Sequence, residues 1–197
     1  MPVLYVRIPD DRIGAVIGPG GATKRRLERA TGSTISIEDE DEGVAIRAPD
    51  GADPIGVLRA RDIVLAIGRG FAPERAERLL HEGTYLAVLD MKEMTGKRSK
   101  EALRRIRSRV IGREGRARDR LETLSGCSVS VYGRTVALIG DERQMDRARR
   151  AVTLLLRGSE HATVFRMLAH GRRTDALEEA LRPGAMAGEP EIHGEDG

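Results

Sequence analysis

The feature that most constrains this chain is that it repeats itself. Residues 18–37, GPGGATKRRLERATGSTISI, lie over residues 112–131, GREGRARDRLETLSGCSVSV. Two glycines with two residues between them match, then Arg-Leu-Glu (Arg26 to Glu28 over Arg120 to Glu122), then Thr-Gly over Ser-Gly, then an alternating apolar run. A second block matches too, with RARDIVLAIGRG at 59–70 over RARRAVTLLLRG at 147–158. The blocks stand closer together in the second copy, because the first carries EDEDEG at 38–43 where the second has only YGR. The period approaches about a hundred residues, well beyond the unit of a solenoid. The 197 residues therefore hold two copies of one small domain.

Both copies read as the same series of elements. VLYVRI at 3–8 alternates apolar and polar residues as a strand does. PDDRIGAVI begins a helix, with Pro and two acids at its start. After a glycine turn, ATKRRLERAT is a helix stopped by Gly32. STISI and VAIRA close a hairpin around the acidic run, which reads as an exposed loop. Ile55, Leu58, Ile63 and Ile67 then fall at helical spacing behind Pro54. Copy two predicts a strand at 85–89, a helix at 100–111, a second helix after the turn, strands near 127–132 and 135–139, and a helix near 142–156. Each copy adds a further helical stretch, PERAERLL in the first and HATVFRMLAHGRRTDALEEAL in the second. The class is α+β, β-α-α-β-β-α twice. Domains are expected over residues 1–82 and 83–182. The tail at 183–197, with four acids and no Lys or Arg, is expected to be disordered.

Between the first two helices of each copy stands Ile-Gly-x-x-Gly. In copy one it is Ile17, Gly18, Pro19, Gly20, Gly21; in copy two it is Ile111, Gly112, Arg113, Glu114, Gly115. Glycines let the chain bend sharply and remove side chains that would hold a ligand away. The helix that follows offers unsatisfied N–H groups and a partial positive charge. Lys24, Arg25 and Arg26 stand just inside that helix in copy one, and Arg116, Arg118 and Arg120 in copy two. The arrangement suits a sugar-phosphate backbone. One Gly-x-x-Gly between helices is most often only a turn; two at the same place in a repeat point to a shared role.

This order of elements around Ile-Gly-x-x-Gly resembles the KH domain, in its type I arrangement. The resemblance implies two three-stranded antiparallel sheets, each with its helices on one face, and a loop that clamps about four nucleotides of single-stranded RNA or DNA. It also implies a groove between the flanking helices and the first hairpin strand. By position Ile13, Ile17 and Ile35 line it in copy one, and Ile111 and Val129 in copy two; the alternative for Ile17, Ile35, Ile111 and Val129 is that they are core. Over residues 3–170 the chain is similar to the archaeal tandem-KH RNA-processing proteins and to the eukaryotic small-subunit assembly factor called partner of Nob, the Dim/Pno family. RVIGREGRARDRLETLSGCSVSVYGRTVALIGD at 109–141, IGRGFAPERAERLL at 67–80 and LLLRGSEHATVFRML at 154–168 carry that likeness. It implies a non-enzymatic protein without cofactor that binds ribosomal RNA near the 3′ end of the small-subunit RNA during assembly and end maturation. The alpha subunit of initiation factor two and the Nob endonuclease are the partners it implies. An aromatic content of 3% agrees with a KH groove and argues against RRM or OB folds, which stack bases on rings.

The chain departs from the common KH pattern where Ile usually follows the second glycine at the third position: Lys24 and Arg118 stand there. The copy-one loop also has no basic side chain at its tip. Charge separates the copies further. The segment from Lys92 to Arg120 holds twelve Lys and Arg against four acids, whereas copy one carries five acids from Glu38 to Glu42. A patch that neutralises phosphates gives strong, salt-sensitive binding. Copy two, with Lys97, Arg98, Arg105 and Arg109 added to its loop, is expected to dominate affinity. Copy one orients the RNA or meets protein.

Two other readings compete. Gly14, Gly18 and Gly20 fit the Gly-x-x-x-Gly-x-Gly loop of short-chain dehydrogenases. Copy two lacks that triple, and Tyr5, Tyr85 and Tyr132 are followed four residues later by Pro9, Leu89 and Val136 rather than the Lys that chemistry needs. No P-loop motif occurs, and no spacing suggests a triad or a carboxylate pair. The second alternative is a KH scaffold whose main partner is protein. The four His residues are scattered, so no metal site is expected. The single Cys127 permits no intrachain disulfide and reads as a small buried apolar residue. No apolar run is long enough to span a membrane and MPVLYVRIPDD does not read as a signal peptide, so a cytoplasmic protein is expected.

Overall fold

A computed structural model describes residues 3–38, 43–49, 51 and 53–181 of the chain. Most of the acidic run and the whole of the expected C-terminal tail lie outside the described residues. Copy one runs β1 (Val3–Val6), α1 (Asp10–Ile17), α2 (Ala22–Thr31), β2 (Thr34–Ile37), β3 (Val44–Arg47) and α3 (Pro54–Gly68), then a short α4 (Pro73–Ala76) and a 3-10 turn (Glu77–Leu80). Copy two runs β4 (Tyr85–Asp90), α5 (Met91–Thr95), α6 (Lys100–Ile111), α7 (Arg116–Ser125), β5 (Ser128–Tyr132), β6 (Thr135–Gly140), α8 (Glu142–Arg157) and α9 (His161–Ala180). The one element the sequence pattern did not give is α5. Five residues are too few to show a period, although Asp90 caps it by accepting from Lys92 N–H.

Each copy forms a three-stranded antiparallel sheet, in the order β1-β3-β2 and β4-β6-β5. Opposite Ile35 stands Ile46, and opposite Val129 stands Leu138, so the two sheets share one register. The inner faces meet the helices. Val6, Ile35, Val44 and Ile46 pack with Val16, Leu27, Ile63 and Ile67 in copy one. Val129, Val136 and Leu138 pack with Ile106, Leu121, Val152 and Leu155 in copy two.

The repeated Arg-Leu-Glu and Thr/Ser-Gly stretches are architecture. Leu27 and Leu121 are fully buried. Glu28 and Glu122 each accept the first strand's backbone N–H, from Ile35 and Val129, and so tie α2 to β2 and α7 to β5. Thr31 and Ser125 donate their buried hydroxyls back to Leu27 and Leu121 carbonyls. Gly32 and Gly126 then end the helices at φ 63° and 82°, left-handed values that glycine adopts without strain.

The outer face of the second sheet is covered by copy one. Ala137 and Ile139 of β6 are fully buried and belong to the copy-one core, with Phe71, Ala76 and Leu79. Polar groups meet along this seam: Arg78 donates to Ser128 Oγ, Ser130 Oγ donates to the Arg69 carbonyl, and Tyr132 donates its hydroxyl to Asp11. Arg75 pairs with Glu122 across the same junction. The helices of copy two thus sit on one face of its sheet, as expected, and the segment after α3 occupies the other.

Candidate nucleic-acid interface

The two Gly-x-x-Gly loops share a backbone although only their glycines match. φ is 71° at Gly18 and 75° at Gly112, 54° at Gly20 and 55° at Glu114, and 78° at Gly21 and 81° at Gly115. The first glycine is required by the chain itself. A Cβ on Gly18 would stand 2.1 Å from Thr23 Oγ1 and 2.9 Å from its backbone nitrogen, and one on Gly112 would stand 2.5 Å from Ala117 Cβ. A Cβ on Gly20 would meet nothing within 4 Å, so the tip of the loop faces open space. Glu114 is the one described non-glycine residue in the left-handed region. Such a residue is strained by about 1–2 kcal/mol. No side chain caps α2 or α7 at the N-terminus, which is Gly21 or Gly115. The first N–H of each helix, on Ala22 or Arg116, donates to the loop's own Pro19 or Arg113 carbonyl, and the positive end of the helix faces the loop.

The charges beside the loops differ. In copy one Lys24 bridges to Glu28 at 3.1 Å, and Arg26 meets Glu77 at 2.6 Å and Glu74 at 3.5 Å. Arg25 is exposed next to Gly21. In copy two the exposed Glu114 and Arg116 pair at 2.7 Å, and Arg118 leans on Asp119 at 3.1 Å. Arg113 and Arg105 are exposed and make no ion pair among the described residues.

The comparisons with known proteins agree with this geometry. A family model described as "KH domain" matches residues 3–66, and one described as "Eukaryotic type KH-domain (KH-domain type I)" matches residues 85–173. The KH domain-containing protein MJ0443 of Methanocaldococcus jannaschii is 42% identical over 169 residues, which cover 85% of this chain and 73% of the relative. Dim2p from Pyrococcus horikoshii OT3 is 47% identical with a TM-score of 0.80, over 86% of this chain and 99% of that one. The chain belongs to the archaeal tandem-KH family of Dim/Pno type. The chain is also similar to a crystallised a/eIF2alpha–aDim2p–rRNA complex from the same organism. The match is 46% identical with a TM-score of 0.82, over 88% of this chain and 95% of that one.

The KH fold leaves no room for the dehydrogenase reading. All described strand pairs are antiparallel, and Gly14 lies inside α1 rather than in a strand-to-helix turn. Burial pushes the Cys127 thiol up to about 12, so it stays protonated at neutral pH. No group of three His, Cys, Asp or Glu residues among the described residues could hold a metal, and no helix among them is long and apolar enough to cross a membrane.

The structure places three of the expected groove and contact residues inward. Ile35 and Val129 are wholly inside their KH cores, with essentially no surface to offer a base. Ile37 and Val131, two residues on and therefore on the same face, are half-buried at the strand ends and carry that apolar surface instead. Arg109 is turned inward. Its guanidinium donates to the Leu155 carbonyl at 3.3 Å and the Ser159 carbonyl at 2.6 Å, at the end of α8. Ile13, Ile17 and Ile111 are half-buried beside the loops. Lys97 and Arg98 are exposed but precede α6, whose length of about 18 Å separates them from the loop. Arg98 instead lines a cavity of about 370 Å³ with Lys92, Asp90 and Arg134.

Sequence reasoning also missed a cavity of about 280 Å³ behind the copy-two loop. It is lined by Gly112, Arg113, Arg116, Arg120, His161 and Phe165. The guanidinium of Arg120 lies 4.8 Å from the centre of the Phe165 ring. Only the alignment of Arg120 with Arg26 hinted at a shared position, and nothing in the sequence placed α9 against it.

Proposed function

We propose that this protein binds single-stranded ribosomal RNA near the 3′ end of the small-subunit RNA, acting in subunit assembly and 3′-end processing without catalysing a reaction itself. The crystallised a/eIF2alpha–aDim2p–rRNA relative supports both the RNA and the alpha subunit of the initiation factor as partners. The Nob endonuclease is a partner by family resemblance. The units we assign to these tasks are residues 1–82 and 83–182, working in the cytoplasm.

Copy two dominates affinity in this reading. One observation carries it: the copy-two loop bears at its tip an exposed arginine without an ion pair among the described residues, Arg113, where the copy-one loop has Pro19. RNA crosses the tip of the loop at Arg113 and Glu114, with a phosphate on the α7 N-terminus and Arg116 and Arg118 beside it. Bases lie against Ile111 and Val131. In copy one the matching path crosses Pro19 and Gly20, with Ile17, Ile37, Lys24 and Arg25 around it. Arg105, on the exposed side of α6, adds to the field that draws the RNA in, as do Lys97 and Arg98 at greater distance.

The test is binding to a short RNA from the 3′ end of small-subunit ribosomal RNA across a range of salt. Changing Arg113 and Glu114 both to Asp is expected to weaken binding at least about tenfold and to flatten the salt slope by about 0.7 for each phosphate that the loop no longer neutralises. Pro19→Asp with Gly20→Asp is expected to weaken it less. Unchanged affinity and slope in the copy-two variant overturn the assignment.

A further inference from the structure

The added helices change one equivalent position in opposite ways. Arg26 and Arg120 occupy the same place in α2 and α7 by the repeat. Above Arg26, α4 and the turn after it set two carboxylates, Glu74 and Glu77. Above Arg120, α9 sets two rings, His161 and Phe165, with centroids 5.9 Å apart and tilted by 41°. The first arrangement closes an ion cluster. The second leaves a cavity of about 280 Å³ whose walls are arginine and aromatic rings.

This cavity lies outside the KH groove. Arg116 and Arg120 are four apart and share one side of α7, while Arg118, two residues from each, points to the other. Gly112 and Arg113 of the loop line this cavity too. Its back wall is pinned. His161 Nε2 meets the Arg109 carbonyl at 2.7 Å. A carbonyl only accepts, so Nε2 carries the hydrogen and Nδ1 is the acceptor of the neutral ring. Arg109 in turn holds the Ser159 carbonyl, so α6 and α9 are tied to each other directly behind the loop.

Resting on the RNA-binding reading above, we propose that this cavity is a subsite for one further nucleotide of the bound RNA, just beyond the stretch held in the copy-two groove. The base stacks on the guanidinium of Arg120, which is backed by Phe165, and meets His161 at its edge. Its phosphate meets Arg113 and Arg116. Arginine planes and rings accept any base as a stacking partner, so the subsite adds affinity with little sequence preference. Copy one offers no counterpart, because the matching position is filled by acids that repel phosphate.

The experiment trims the ribosomal RNA to the shortest length that still binds, then extends it by one nucleotide at either end. Wild-type protein is expected to gain about five- to tenfold in affinity on one of the two extensions, from one stacked base. Arg120→Gln and Phe165→Leu are expected to bind the trimmed RNA within about twofold of wild type and to lose the gain; the second keeps an apolar side chain of similar volume. An abasic added nucleotide is expected to restore only a small part of it. Equal gains in wild type and in both variants, or no gain on either extension, overturn the subsite while leaving the trimmed-RNA binding, and so the wider reading, standing. Adenosine monophosphate that binds at Arg120 in the absence of any extension gain assigns the cavity to a free nucleotide and overturns it as well.

Discussion

The outer faces of the two sheets share a register and meet different surroundings. Tyr5, Ala45 and Ser36 form one row across the first sheet, and Val88, Ala137 and Ser130 form the matching row across the second. One row over, Arg47 of the first sheet corresponds to Ile139 of the second. Arg47 joins Ser36 and Glu38 in a polar network whose hydrogen bonds hold the Glu38 carboxyl below its usual range. That face keeps Tyr5 more than half exposed, at 54%. Ile139 is fully buried against the segment that follows α3. One aliphatic side chain in place of a guanidinium thus separates a sheet that stays open from a sheet that docks. The lesson is that tandem copies of one domain become a single body through their outer faces, where the fold itself demands least.

The comparison breaks most sharply at that residue. Ile139→Arg places an unpaired charge in the seam between copies, where removing a charge from water without a partner costs about 3–5 kcal/mol. Urea denaturation is expected to show a loss of that size, or two separate transitions as the copies part. The reverse change, Arg47→Ile, is expected to change the unfolding free energy by no more than about 1 kcal/mol, since the network it removes is partly exposed to solvent. If Ile139→Arg unfolds at the wild-type midpoint, burial of that side chain does not hold the copies together.

A second contrast concerns contacts that are equivalent in space but not in sequence. Arg12 donates to the Ile67 carbonyl at 2.9 Å and the Phe71 carbonyl at 2.7 Å, and Arg109 donates to Leu155 and Ser159, the matching pair in copy two. The two arginines do not align, because Arg12 stands one helical turn further from its loop. They reach the same carbonyls because residues three apart share a helix face. These bonds satisfy helix-end acceptors and place a cation at the negative end of α3 and α8. Arg12→Ala and Arg109→Ala are each expected to cost about 1.5–3 kcal/mol by thermal or chemical denaturation. A large difference between them marks one contact as incidental.

Much of this was legible in the sequence, and the exceptions have physical reasons. The repeat gave two domains of one order, and Gly-x-x-Gly gave the loops, because backbone demands at glycine are local. Arg-Leu-Glu aligned the copies for a structural reason: the Leu is core and the Glu ties helix to strand. What could not be read depends on depth or on tertiary position. Ile35 and Ile37 lie on the same face at a period of two, and only the packed sheet shows that the first is buried and the second reaches the edge. Arg109 counts as a free cation until α8 ends beside it. Arg120 and Phe165 are brought together by α9, which no periodicity could orient. The contrast of Arg47 with Ile139 needs the strand register, which a shift of one residue would invert.

The smallest effect tests the loops themselves. Gly20 and Glu114 have φ of 54° and 55°, so both copies ask the same left-handed conformation of the third loop residue. Only copy one supplies glycine. Glu114→Gly relieves the strain of a side chain held there but adds freedom to the unfolded chain, two terms of about 1–2 and 0.5–1 kcal/mol that partly offset. The exposed pair it breaks with Arg116 contributes little. A net gain of about 0.5–1 kcal/mol in unfolding free energy, read as a higher urea midpoint at unchanged slope, is therefore expected, with Gly20→Ala losing a similar amount in copy one. The same Glu114→Gly change removes the acid closest to Arg116 and is expected to tighten RNA binding about two- to threefold at low salt, with the gain fading as salt screens it. Stability that rises without any change in RNA affinity would mean that the strained glutamate sits away from the RNA path.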